Sequence, residues 1–158
     1  MRRILVVLIL ALVLVGCAKP AEENAKVLTN EEWNAVAEDI FNEMELPAMM
    51  ALSSEELTDI LGINAGNLDS FLVMLPMMSV HATEIMVYQA KDGMIETVTE
   101  EVNAYLDKYE QMWSTYLPDQ YELVKNRVEK VVGDSTLVVI IAEDTAAIEA
   151  KIDAALAE

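Results

Sequence analysis

His81 is the only histidine of the chain, and it follows Met74, Met77 and Met78 within eight residues. Thioether sulfur and neutral imidazole suit soft monovalent copper, so Met77, Met78 and His81 are candidate soft-metal ligands. Two arguments weaken that set. Methionine is a common filler of irregular cores, and a strand would turn Met74 and Met78 to one face and Met77 to the other. Packing is therefore the preferred reading, and no metal or other cofactor is expected. As a general base His81 would need a proton to take and a partner to orient it. No Ser-Gly elbow, metal-ligand pair or second histidine accompanies it, so a loop histidine without catalytic duty is expected.

Two further groups carry chemistry-bearing side chains. Glu96, Glu100, Glu101, Asp107 and Glu110 fall within one helical stretch. Paired carboxylates bind calcium or hydrolyse glycosides, but these lack the loop spacing of a calcium site, and a helix surface offers no pocket. They read as solvated charge. Tyr105, Tyr109, Trp113 and Tyr116, with Trp33 upstream, are rings of the kind that stack on sugars. Their spacing of four, four and three residues fits helix-face packing better. No catalytic constellation emerges, and an enzyme is not expected.

The most specific motif is at the start. Ile4 to Val15 is an unbroken apolar run of twelve residues behind Arg2 and Arg3. At ~1.5 Å per residue it covers roughly 18 Å of a hydrocarbon layer ~30 Å thick. That is short for a span and right for the core of a signal peptide. Leu14-Val15-Gly16-Cys17 then looks like a lipobox: cleavage between Gly16 and Cys17, with the Cys17 thiol carrying the lipid. A diacylated cysteine suffices for stable anchoring. The expected organisation is a signal peptide over 1–16, a flexible tether over 17–28 and one domain over 29–158.

Removing 1–16 takes away two of the ten basic residues and none of the 28 acidic ones, so the net charge goes from −18 to −20. Such a surface repels nucleic acid and anionic headgroups. Neither is an expected partner; the membrane is reached through the lipid alone. Cys17 is the only cysteine, so the domain has no disulfide and must hold itself by packing.

The elements that position these residues follow from periodicity and caps. Thr29 with Glu32 forms a capping box ahead of Trp33, Val36, Ala37, Ile40, Phe41 and Met44, a helical stripe ended by Pro47. Ser53 to Glu56 starts a short helix closed by Gly62. Ser70 to Met78 reads as a strand ending near Pro76, and Thr83 to Ala90 as its partner. Met94 to Tyr116 is the longest helix, with Val98, Val102, Tyr105, Leu106, Tyr109, Met112, Trp113 and Tyr116 along one face. Residues 119–126 read as either helix or strand. Arg127 to Val132 and Thr136 to Ala142 form a hairpin about Gly133-Asp134. Asp144 caps a last helix. The order α-α-β-β-α-β-β-α predicts an α+β domain of two layers, a mainly antiparallel sheet of two hairpins with helices packed on it.

The stretches LPMMSVHATEIMVYQAKDG, YLPDQYELVKNRV and VVGDSTLVVIIAED resemble the domain of unknown function 4358 family. Its marks here are Met74 to Met78, Glu84-Ile85, and Leu117-Pro118 followed by Gln120-Tyr121; His81 departs from the polar or small residue expected there. The resemblance covers about residues 30–157. It implies a small lipoprotein of Gram-positive bacteria, on the extracytoplasmic face of the membrane, and carries no catalytic residue over. The expected function is a non-catalytic accessory or interaction domain of the cell envelope with a protein partner there. The alternative is a small-ligand or solute-binding lipoprotein, which a concave, partly apolar pocket between sheet and helices would favour.

Overall fold

In the computed structural model, which describes residues 25–157, Thr29 caps the first helix, α1 (Asn30–Glu43). Its hydroxyl accepts the Glu32 amide at 3.2 Å, and the Glu32 carboxylate accepts the Thr29 amide at 2.7 Å. Ser53 and Glu56 repeat the device at α2 (Ser54–Glu56), which runs on into a π-helical turn, Leu57–Leu61. Gly62 ends that turn at φ +75°, a left-handed conformation open to glycine at little steric cost.

A short strand, β1 (Met49–Ala51), precedes α2. β2 (Leu68–Pro76) and β3 (Glu84–Ala90) form the first hairpin. Then come α3 (Ile95–Trp113), α4 (Pro118–Lys125), the hairpin β4 (Val128–Val132) and β5 (Thr136–Ile141), and α5 (Thr145–Ala157). The ambiguous 119–126 stretch is thus helical, with Pro118 in its first turn, where a missing N–H is harmless. All neighbouring strands are antiparallel, in the order β1-β2-β3-β5-β4, so the two hairpins join through β3 and β5.

The α+β class and the antiparallel sheet of two hairpins hold; the expected two layers do not. Alternate residues of the central strands feed two separate cores. Phe71, Val73, Met86, Tyr88, Leu137 and Val139 pack with α3, α4 and the π turn. Leu72, Met74, Ile85, Val87, Val138 and Ile140 pack with α1 and α5. The domain therefore has three layers, helices on both faces of a five-stranded sheet. Burial on both faces explains why β3 and β5 are buried along their whole lengths and carry no clean alternation.

Three further expectations are corrected. β1 was not foreseen: at three residues it is too short to carry a pattern. Phe41, assigned to the α1 stripe by spacing, is 47% exposed, while Trp33, Ala37 and Ile40 form the buried edge. Residues 25–28, assigned to the tether, are bound to the domain: the Lys26 amide donates to the Leu156 carbonyl at 3.0 Å, and Leu28 is buried against α1 and α5. Among the described residues no helix is long and apolar enough to cross a membrane. Gly16, Cys17 and the signal segment 1–16 lie outside the described residues.

Candidate functional site

β3 begins with a carboxylate pointed at the wrong solvent. Glu84 shares the face of Met86 and Tyr88, the face covered by α3, and is only 2% exposed. α3 meets it with rings four residues apart, Tyr105, Tyr109 and Trp113, stacked along one stripe because a helix returns to the same face about every 3.6 residues. Their centroids are 5.5 and 6.0 Å apart in succession, and Tyr116, just past the helix end, continues the row at 5.5 Å from Trp113. The Tyr105 hydroxyl donates to Oε1 of Glu84 at 2.7 Å.

Burial pushes the Glu84 carboxyl up to about 7; the hydrogen bond from Tyr105, and to a smaller degree the Tyr109 hydroxyl, which lies near without a formed hydrogen bond of its own, hold it from rising further. The same burial, with the negative charge of Glu84 beside them, raises Tyr88, Tyr105 and Tyr109 above the ordinary phenol value. These hydroxyls therefore stay protonated. Among the described residues three buried polar atoms on this side lack a protein partner: Oε2 of Glu84, the Tyr88 hydroxyl and Nε1 of Trp113. An unmet buried polar group costs about 1–3 kcal/mol, more when charged.

The opposite face handles its buried polar groups differently. The Gln89 side chain accepts from the Leu28 amide at 2.7 Å, the Ser70 hydroxyl at 2.9 Å and Nε1 of Trp33 at 3.2 Å. It donates to the Lys26 carbonyl at 2.7 Å and to Thr136 Oγ1 at 3.3 Å. That network is saturated and ties the N-terminal segment down. The Glu84 cluster is left open.

Above Glu84 lies a cleft of about 430 Å³, walled by the end of β2 (Leu75, Pro76), the β2–β3 turn (Ser79, His81) and Tyr109, Met112, Trp113 and Tyr116. Met77, Met78 and Val80, at the tip of that turn, are exposed, as are Met112 and Tyr116. The turn is held from both sides: the Met77 amide donates to the Ala48 carbonyl at 2.8 Å, and the Ala82 amide to Oε1 of Gln120 on α4 at 2.8 Å. A second depression of about 500 Å³ lies across His81, lined by Glu43, Glu45, Glu143 and Asp144 among others. It is larger, but it holds none of the unpartnered atoms, and Asp144 is engaged in capping α5 through the Ala147 amide at 3.0 Å. Glu84 and Trp113, two of the residues with unpartnered atoms, line the smaller cleft.

The sequence-derived candidates are dispersed. Met74 is buried in the core under α1 and α5, while Met77 and Met78 lie beyond the strand, 65% and 59% exposed. Packing therefore accounts for Met74 and not for the other two. His81 borders both depressions. Among the described residues no three His, Cys, Asp or Glu side chains are grouped to hold a metal ion. Of the acidic set on α3, Glu101 accepts from the Asn64 amide at 2.9 Å and Glu110 pairs with Arg127 at 2.9 Å, so these two fasten the fold instead of standing free in solvent. Trp33 belongs to the opposite core; Tyr109 and Trp113 pack as the helix spacing implies. In the sequence Glu84 stands out only with Ile85, as one mark of the family resemblance. An acidic residue opening an apolar strand was the signal available.

The site is that of a small α+β domain with an aromatic cleft over a buried carboxyl. A family model described as Domain of unknown function (DUF4358) matches residues 42–142, and the chain belongs to that family. The match begins at the end of α1 and stops after β5, so it holds the whole sheet, α3, α4 and the cleft, and leaves most of α1 and all of α5 outside. No curated protein and no solved structure matches the chain.

Proposed function

We propose that this protein is a lipid-anchored domain on the extracytoplasmic face of the cell membrane whose work is to bind a small ligand, without catalysis. The observation that carries the binding reading is the cleft: about 430 Å³, mostly apolar, and closed at its floor by a carboxyl with one oxygen unpartnered. Volumes of ~300–1,000 Å³ with few convergent polar groups are usual for ligand sites. Glu84 shares the cleft with Ser79 and His81, but among the described residues no hydrogen bond joins the three and no second carboxylate lines it, an arrangement that suits holding better than bond-making. The anchoring reading rests on Arg2, Arg3, the apolar run and the Leu14–Cys17 tetrapeptide.

An envelope protein partner is the second reading. It is favoured by the exposed Met77, Met78 and Val80 beside Met112 and Tyr116, an apolar rim around the mouth. Ligand-detected NMR with a fragment set, repeated on a Met112→Lys, Tyr116→Lys variant, tests the binding reading. Fragments that lose their signals with the variant support it. Fragments that bind both forms equally, or none, refute it.

A further inference from the structure

We infer that the cleft takes a small organic ammonium with an apolar arm, its N–H groups turned to Oε2 of Glu84 and its hydrocarbon against Met112, Trp113 and Tyr116. The inference rests on the binding reading above and names the ligand class for that same site. Glu84 is 2% exposed and lines the cleft; its Oε1 already accepts from the Tyr105 hydroxyl, and its Oε2 has no partner among the described residues. An ionised carboxylate only accepts, so the ligand must bring the donor. An anionic ligand would face repulsion from Glu84 and from a chain of net charge −18, which gathers cations instead.

The rings select in the same direction. Aromatic faces attract cations, and about 0.5–2 kcal/mol per well-placed ring is usual. Trp113 and Tyr116 both line the cleft with their centroids 5.5 Å apart, and Tyr116, 54% exposed, is the ring most open to an occupant. A sugar, the other ligand that rings accept, carries hydroxyls on every side and would meet Leu75, Pro76 and Met112 where it needs polar partners.

Binding is coupled to protons. The titratable groups facing Glu84 are Tyr88 on its own strand, Tyr105 and Tyr109 on α3, and His81 across the cleft; β5 presents Ile141 opposite it. The tyrosines stay neutral at these pH values. With the carboxyl at about 7, the ionised fraction rises from about one tenth at pH 6 to about nine tenths at pH 8. An ammonium that needs the carboxylate should therefore bind about tenfold tighter at pH 8 than at pH 6.

The test is isothermal titration calorimetry of the full chain in detergent with n-hexylammonium, 1-hexanol and hexanoate at millimolar concentration. The inference expects n-hexylammonium to bind best, with the tenfold pH gain retained in His81→Gln and lost in Glu84→Gln. Tyr116→Ala, at a half-exposed position that leaves the core intact, should weaken it severalfold, and this arm serves if Glu84→Gln does not fold. Hexanol or hexanoate binding as tightly, with sensitivity to Tyr116→Ala, would overturn the ammonium inference and leave the binding reading standing. No probe binding, or binding indifferent to both variants, would overturn both.

Discussion

The Tyr105 hydroxyl donates a hydrogen bond to one oxygen of Glu84 at 2.7 Å, and among the described residues nothing donates one to the other. This half-satisfied carboxyl sits at about 7 when folded against an ordinary 4.5. Between those values the folded chain keeps a proton that the unfolded chain releases, so stability falls as pH rises through the window, and the loss is complete above the folded value. The full loss is about 3 kcal/mol. Glu84→Gln keeps an acceptor for Tyr105 and carries no charge. We expect it to match the parent at pH 5 and to exceed it at pH 8 by about 1–3 kcal/mol in urea unfolding. A variant less stable than the parent at pH 8 would show that the carboxylate is satisfied there.

Gln89 is the opposite case, a buried side chain with every polar group engaged. Gln89→Leu would strand the Leu28 amide and the Lys26 carbonyl and leave the Trp33 N–H only its 3.2 Å bond to the Ser70 hydroxyl. We expect a loss of about 3 kcal/mol and faster exchange of the Leu28 amide hydrogen. A loss below about 1 kcal/mol would mean that residues 26–28 contribute little to the fold.

The contrast between these two residues also marks how far sequence reading reaches. Local rules worked where the cause is local. Thr29 with Glu32, Ser53 with Glu56, and Gly62 each act within a few residues of themselves, and each appears where the chain predicts. What failed depends on distant partners. Whether Val87 and Val138 face a second helix layer cannot be read from an apolar run, because a strand buried on both faces has no period. Phe41 has the right spacing for α1 and still faces out, since α5 covers only part of that stripe. The site was hidden for the same reason. Glu84 and Tyr105 are 21 residues apart, and nothing in either segment announces the other. Met77 and Met78 carry the sulfur of a soft-metal site, yet the structure leaves both exposed on the β2–β3 turn, whose Ser79 and His81 line the cleft.

Cys17 carries the proposed anchor. Cys17→Ala should abolish incorporation of a labelled fatty acid and release the protein from the membrane fraction, with the folded domain intact by thermal unfolding. In that proposal two acyl chains at ~0.8 kcal/mol per buried methylene would supply the retention, which a chain of net charge −18 is poorly suited to replace by attraction to anionic headgroups. An unlabelled variant that stays with the membrane would refute the lipobox reading.

The three methionines should separate by position. Met74 is 5% exposed between β2 and the helices α1 and α5, so Met74→Ala leaves a cavity and should cost about 2–4 kcal/mol. Met77→Ala and Met78→Ala remove side chains that are 65% and 59% exposed, and each should change stability by less than about 0.5 kcal/mol. The Met77 amide keeps its bond to the Ala48 carbonyl in either case, because that contact is made by backbone alone. Equal losses at all three positions would mean that the turn folds back onto the domain and that the cleft mouth is covered. A large loss at Met74 alone leaves Met77 and Met78 free to meet whatever approaches Glu84.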